Sequence, residues 1–461
     1  MEVKTPIIPS KQIFAKKQGN HELDLEAICV FAAIGFFLDQ DTYWKDKLVL
    51  SPASLISIDS DYNLQQTKPW FQWHYSPRDI SFSQALEEYA SLFESIVAEQ
   101  TQSKKVILPL SGGLDSRTQA VALKNNNAEV FSYSYQFENG YAETKIAKRI
   151  ANACQFDFKS YTIPKGYLWN NIDVLAKLNN CYSDFTAPRQ MAIYDEFDAM
   201  GDVFSLGHWG DVLFDDMGVP DDMSFEEQVE VILKKLVKKG GMPLSESLWK
   251  SWNLEGNFKD YLKNRITFLL EGIDIKNNAN AQIRAFKSLY WAPRWTSVNL
   301  SVFSAKMPIT LPYYDNRMCE FICTVPEKYL ANRQLQIEYI KTRSPELAKI
   351  DWQDHRPFNL NNYHLNKIPY NLPYKIVNKL KREVDALMGK KYVQRNWELQ
   401  FVGKENEEKL KNQLFNSQLE NLIPMEIIKE YYKLFLNNNK VQNSHAINML
   451  LVLSKFNQKN D

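Results

Sequence analysis

The chain has 461 residues, long enough for two domains or for one large domain with a smaller lobe, and its 44% hydrophobic and 13% aromatic content excludes a disordered protein. Lys plus Arg number 55 and Asp plus Glu number 55, so the formal net charge is zero and the whole-molecule field draws in neither nucleic acid nor an anionic membrane. Five scattered cysteines (Cys29, Cys154, Cys181, Cys319, Cys323) without a Cys-x-x-Cys pair point to reduced, buried thiols and a cytoplasmic setting. The start, Met1-Glu2-Val3-Lys4-Thr5-Pro6, has no signal-peptide pattern, and the longest apolar run, 27–38, is too short to span a bilayer. Neither a nucleic-acid nor a membrane partner is expected.

Up to about Trp73, short apolar runs mixed with turn residues, as in 47–58, predict a small β-rich region that ends near Ser76-Pro77-Arg78. From Ser81 the apolar residues Phe82, Leu86, Tyr89, Leu92, Phe93 and Ile96 fall at helical spacing. Strands and helices then alternate. Residues 106–110 read as a buried strand, 115–124 as a helix stopped by Asn125-Asn126-Asn127, and 130–135 as a second strand. A helix follows with Ala142, Ile146, Ala147, Ile150 and Cys154 on one face, and 158–163 and 203–206 read as further strands. This alternation predicts an α/β fold, a doubly wound parallel sheet with helices on both sides. After about Met223 the pattern is mainly helical. Cys319 and Cys323, one helical turn apart, read as core-facing residues, since no further Cys or His lies nearby to complete a metal site.

Ligands of an open parallel sheet bind beyond the carboxyl ends of its strands. Ser111-Gly112-Gly113-Leu114-Asp115-Ser116 lies there, between the first strand and its helix. Two glycines let the backbone approach an anion, the two serines add hydroxyl donors, and the helix N-terminus favours negative charge. Asp115 conflicts with a phosphate unless a cation lies between them, and Mg²⁺ prefers such mixed carboxylate and phosphate oxygens. The alternative is a Gly-Gly turn with a Ser/Asp cap. The P-loop pattern Gly-x-x-x-x-Gly-Lys-Ser/Thr is not present around this loop.

Ser-Gly-Gly-Leu-Asp-Ser after an apolar strand resembles the loop of the ATP pyrophosphatases, the PP-loop superfamily, and the surrounding chain resembles the synthetase domain of the asparagine synthetase family. Leu206-Gly207-His208-Trp209-Gly210-Asp211-Val212-Leu213-Phe214 is similar to the family's Ser-Gly-Glu-Gly-Ser-Asp-Glu-Leu-Phe, and Leu311-Pro312-Tyr313-Tyr314-Asp315 to its Pro-Phe-Leu-Asp. The ending, 425–453, is similar to its closing helices. The resemblance implies a degenerate glutaminase-like region at 1–76 and a ligase domain at 77–461, with an adenine nucleotide α-hydrolase-like core at 104–218 and a helical part at 223–461. By position, Asp115 and Asp211 would each hold Mg²⁺ on the phosphates of ATP. Leu110, Ser111, Gly112, Gly113, Ser116, Tyr133, Leu206 and Gly207 would line the nucleotide, although Leu110, Tyr133 and Leu206 also fit ordinary sheet core. Glu143 matches an acidic position opening the second helix, or is a dipole partner there.

The implied reaction activates a carboxylate as an acyl-adenylate with loss of pyrophosphate, and ammonia or an amine then displaces AMP. His208 stands where asparagine synthetases carry Glu and β-lactam-forming relatives Tyr; imidazole suits a proton relay, and packing against Trp209 is the alternative. The segment Asp351-Trp352-Gln353-Asp354-His355-Arg356 falls where the family carries a lysine, so Arg356, or else His355, supplies positive charge, or the segment is a solvated loop. Arg117 either touches a phosphate or lies on the helix surface. Glutamine-using members begin with Cys after Met removal, whereas Glu2 stands here, and 31–73, including Gly35-Phe36-Phe37-Leu38-Asp39-Gln40, resembles only the latter part of their glutaminase domain. Glutamine hydrolysis by this chain is therefore not expected. The expected partners are a small-molecule or peptide carboxylate and ammonia or an amine, with a separate glutaminase as one source. Two other functions remain open: a nucleotide-binding or scaffold protein that has lost turnover, and a PP-loop RNA-modifying enzyme, which the balanced charge and scattered cysteines disfavour.

Overall fold

The computed structural model describes the chain except residues 143, 391, 438 and 461, so Glu143 lies outside the described residues. The N-terminal region supplies strands β1 (Glu2–Lys4), β2 (Phe14–Lys16), β3 (Lys47–Val49), β4 (Ser54–Ile58) and β5 (Leu64–Pro69). They form an antiparallel β1-β4-β5 sheet and a β2-β3 ribbon, closed over a small core that includes Ala15, Leu48, Leu50, Ile56 and Ile58.

Between β2 and β3 lies helix α1 (Leu25–Ile34), where only β structure was expected. Residues 27–34 are apolar all round, and such a helix is stable only when buried on every side, as it is here. The Asp24 carboxylate caps it by accepting from Ala27 N at 3.0 Å, and Gly35 ends it in the left-handed conformation, with φ 85°. Against it packs the helix Gly241–Ser251. A Cβ on Gly241 would lie 2.2 Å from the Ala33 carbonyl oxygen, so only glycine permits this approach. The N-terminal region thus shares the main hydrophobic core of the chain.

Helix α2 (Phe82–Thr101) starts at a capping box, with the Ser81 hydroxyl and the Gln84 amide exchanging bonds with each other's backbone N–H groups. The central sheet follows: β6 (Val106–Pro109), α3 (Leu114–Asn125), β7 (Val130–Phe137), α4 (Thr144–Cys154), β8 (Asp157–Ile163), α5 (Tyr167–Asn179), β9 (Val203–Ser205), the single turn α6 (Gly210–Leu213), and β10 (Ile309–Thr310). All five strands are parallel, in the order β10-β9-β6-β7-β8. The expected α/β fold with a mainly helical C-terminal part is therefore what the chain adopts. The edge strand β10 escapes sequence reading because two residues carry no period.

From β6 the chain winds outward through β7 to β8, then returns to place β9 on the other side of β6. The strand order therefore reverses between β6 and β9, and a crevice opens beyond their carboxyl ends. The five cysteines are free and buried, and Cys319 and Cys323 face the core on the helix Asn316–Ile322 and its end.

Candidate active site

The loops after β6 and β9 bound one cleft of about 560 Å³. Its walls include Ser111, Asp115 and Ser116 from the first loop and Leu206, Gly207, His208 and Asp211 from the second, so the two motifs separated in sequence meet in space. Leu110 and Tyr133 lie behind this surface, fully enclosed in the sheet core.

Three amides of the loop 111–116 have side-chain partners. Ser111 N–H donates to Ser116 Oγ at 3.0 Å, Gly113 N–H to Ser111 Oγ at 3.2 Å, and Gly112 N–H to Gln353 Oε1 at 3.2 Å. An anion entering the loop must displace hydroxyls that rotate readily and one side-chain amide that does not. Gln353 belongs to the segment where a lysine or a substitute was sought. A Cβ on Gly112 would sit 2.5 Å from its Oε1, so glycine is what lets the segment close on the loop.

Arg117 neither touches a phosphate position nor lies on the helix surface. It is fully buried, and its guanidinium donates to the carbonyls of Gly112, Leu347, Ile350 and Asp351 at 3.3, 3.3, 2.9 and 2.7 Å. Desolvation lowers it to about 10, still a cation at neutral pH. It is the pin that holds the 347–351 segment against the loop. His355 stacks on Trp352, with ring centroids 4.0 Å apart, and faces Asn366 Nδ2 at 3.4 Å. Arg356 follows it in the chain, half-buried, and is not among the residues that wall the cleft.

Asp115 is enclosed by partners that sequence reading missed. Its Oδ1 accepts from Arg333 Nη2 and from Gln336 Nε2 at 3.1 Å, and Gln336 also donates to Tyr313 Oη at 2.8 Å. Burial pushes Asp115 up to about 6, Arg333 draws it down, and Asp211 raises it further by like-charge repulsion. Close packing leaves no room for a side chain opposite: a Cβ on Gly210 would lie 2.2 Å from Asp115 Oδ1, and one on Gly207 3.1 Å from Asp115 Cβ. Asp211, in the first turn of α6, is exposed and makes no ion pair among the described residues. These two carboxylates fit Mg²⁺. Both hydrogen bonds to Asp115 fall on one oxygen, Asp211 is unengaged, and a divalent cation would relieve the repulsion between them. Among the described residues no group of three or more acidic, His or Cys side chains could hold a metal, so phosphate oxygens would complete the shell.

His208 is half-buried beside Trp209, whose backbone has φ 80°, an uncommon conformation for a bulky residue. Trp209 Nε1 donates to Ser288 Oγ at 3.0 Å, which fixes the turn. His208 Nδ1 is sealed from solvent without a partner, so proton exchange is left to Nε2. Desolvation lowers His208 to about 4 against the pull of Asp211, and the ring is neutral at pH 7.

The far wall is a stretch of π-helix, Lys287–Thr296, that contributes Lys287, Trp291 and Trp295 to the cleft. Their spacing of four brings them onto one side, and π-turns inside helices are frequent at functional sites. Lys287 Nζ lies 5.8 Å from the Trp209 ring centre and 5.6 Å from that of Trp291. Desolvation lowers Lys287 to about 8, with Asp211 opposing. The 4-residue spacing of Lys287, Trp291 and Trp295 was the one signal that could have found this wall.

A glycine-rich loop and a carboxylate-bearing turn on adjacent strand ends lie at the switch point of an open parallel α/β sheet, where proteins of this class bind their ligands. The chain belongs to the asparagine synthase family, whose model matches residues 88–341, more than half of it. No curated protein matches it. Among solved structures it is similar to the NH₃-dependent NAD synthetase from Campylobacter jejuni (18% identity, 50% of this chain and 100% of that one, TM-score 0.22). It is also similar to the NMN synthetase from Francisella tularensis (16%, 45% and 93%, 0.22) and the U34-tRNA thiolase from Methanococcus maripaludis (12%, 46% and 86%, 0.21).

Proposed function

We propose that this protein is an AMP-forming amide ligase. ATP binds on the loop 111–116, and Asp115 and Asp211 would hold the Mg²⁺ that would neutralise charge on its phosphates. A substrate carboxylate oxygen attacks the α-phosphorus, the bond to the β-phosphate breaks, and pyrophosphate leaves. Ammonia or an amine then attacks the acyl carbon of the adenylate, its surplus proton goes to neutral His208 Nε2, and AMP departs with the carboxylate oxygen. Lys287 holds negative charge on the acid or the leaving phosphate, the task sought for Arg356 in the sequence. The observation that carries this reading is the shared cleft: phosphate loop, second carboxylate, imidazole and lysine converge on one space at the switch point.

The remaining space beside Trp291 and Trp295 takes the acid, a small molecule or an exposed peptide carboxylate. The region 1–76 is read as a degenerate glutaminase remnant, so nitrogen comes from ammonia, from an amine-bearing substrate or from a separate glutaminase. Two observations favour a second reading, a nucleotide-binding scaffold without turnover: Gln353 already occupies the Gly112 amide and Arg333 already pairs with Asp115.

Hydroxylamine separates the two. With ATP, Mg²⁺ and a panel of carboxylic acids, a ligase converts its acid to a hydroxamate and releases AMP in equal amount. ATP binding with no hydroxamate from any acid, and no AMP, assigns the scaffold.

A further inference from the structure

The formal charge of the chain is zero, yet one helix leaves a set of large apolar side chains exposed. The helix Leu372–Leu387 stands on the body with its apolar side outward. At 3.6 residues per turn, Leu372, Ile376, Val377, Leu380, Val384 and Leu387 fall on one arc, and they are 43%, 49%, 62%, 56%, 52% and 88% exposed. Met388 extends the strip at 59%. Tyr374, Asn378 and Asp385, on the opposite arc, are the positions less exposed than their neighbours, so the polar side of the helix faces the protein. An ordinary surface helix is oriented the other way round. Soluble monomers rarely leave so continuous an apolar strip uncovered, and such strips mark interaction surfaces.

Charge selects the occupant. Lys375, Lys379, Lys381, Arg382 and Lys390 flank the strip, against two acids: Glu383, which falls within the arc beside Ile376, and Asp385, which faces the protein. Those acids lie 3.9 Å from Lys379 and 4.0 Å from Lys390, which leaves Lys375, Lys381 and Arg382 outside the ion pairs of the described residues. A second copy of the strip would bring like-charged borders together. A peptide would need a groove, and no residue of the strip is sunk in one. An apolar arc edged by lysine and arginine matches a flat surface that is apolar within and anionic at its face.

We propose that the helix Leu372–Leu387 anchors the protein on an anionic lipid bilayer, its apolar arc seated at the boundary of headgroups and acyl chains. The anchoring is superficial, since no helix among the described residues is long and apolar enough to cross a membrane. It revises the expectation that the chain has no membrane partner, which followed from the zero net charge and from apolar runs too short to span a bilayer.

The test is co-sedimentation of the full chain with vesicles of phosphatidylglycerol and phosphatidylcholine, compared with phosphatidylcholine alone. The wild type binds the anionic vesicles, less well as salt is raised, and hardly binds the neutral ones. The double variant Leu380→Asp/Val384→Asp loses at least about tenfold in affinity, as does Lys375→Glu/Lys381→Glu/Arg382→Glu, because both apolar area and charge contribute. These side chains are exposed, so thermal unfolding of the variants stays at the wild-type temperature. No binding to anionic vesicles, or equal binding by the variants, overturns the proposal. So does self-association in light scattering that Leu380→Asp/Val384→Asp abolishes while vesicle binding is absent, which would give the strip to a second copy.

Discussion

Asp211 is the residue whose role can be isolated most cleanly, because it is exposed and takes no structural partner among the described residues. Asp211→Asn keeps its size and is expected to leave the fold intact while lowering turnover at least about a hundredfold, the scale of a lost charge contact to a catalytic metal. Gly210→Ala acts on the other carboxylate through space. The new methyl would meet Asp115 Oδ1 at 2.2 Å and displace it, so MgATP affinity falls, whereas Gly207→Ala, at 3.1 Å, has the milder effect. Isothermal titration with MgATP orders the two; equal affinities in both variants would show that Asp115 does not touch the nucleotide site. Two groups set the pH range of binding. Asp115, raised to about 6, is largely neutral at pH 5 and ionised at pH 7, so metal binding strengthens as pH rises through 6. Lys287, lowered to about 8, loses its proton as pH rises through 8, so anion binding weakens there. MgATP affinity is thus highest between these values, and Lys287→Met flattens the alkaline limb alone. An unchanged alkaline limb would remove Lys287 from the site. At this scale Ser111, Asp115, Ser116, Gly207, His208 and Asp211 were legible because they sit in contiguous motifs. Arg333 and Gln336, which bind Asp115, and Lys287, which walls the cleft, were not, since each comes from a part of the chain remote in sequence.

At the scale of elements, the contact between the phosphate loop and the segment 347–353 carries the account. Two side chains make it, and they act differently. Arg117→Met leaves the Ile350 and Asp351 carbonyls without the guanidinium donor, while those of Leu347 and Gly112 keep the Ile350 and Gln353 N–H groups; unmet buried acceptors cost about 1–3 kcal/mol each before relaxation, so the melting temperature falls by several degrees. Hydrogen exchange in 347–353 quickens at the same time; protection there as in the wild type would contradict the pin. Gln353→Ala instead frees the Gly112 N–H for a phosphate. Losing a competitor worth about 1 kcal/mol tightens ATP about fivefold, and weaker binding would mean that Gln353 contacts the nucleotide itself. The alternating strands and helices of 106–163 were readable from period and turn residues. Helix α1 was missed because an apolar run with no polar side has no moment to reveal it, and β10 because two residues have no period.

The whole molecule is organised by the reversal of strand order between β6 and β9. That reversal turns two motifs nearly a hundred residues apart into one cleft, and the helical part adds the π-helical wall to the cleft and the Arg333 and Gln336 side chains to Asp115. The N-terminal region reaches the same wall: Phe36 stacks on Trp291 at 5.7 Å, so the β-rich segment and its buried helix buttress the aromatic side of the cleft. Sequence reasoning placed the sheet and the loop, because both are local patterns. The far wall depends on how distant helices pack, which period and composition do not encode. The proposed function requires that this cleft reversibly make an acyl-adenylate from ATP. Exchange of radiolabelled pyrophosphate into ATP, run with a panel of carboxylic acids, measures that step alone. The wild type is expected to show acid-dependent exchange that Asp211→Asn reduces at least about a hundredfold; no exchange with any acid, or exchange undiminished in Asp211→Asn, would rule out adenylation at this cleft.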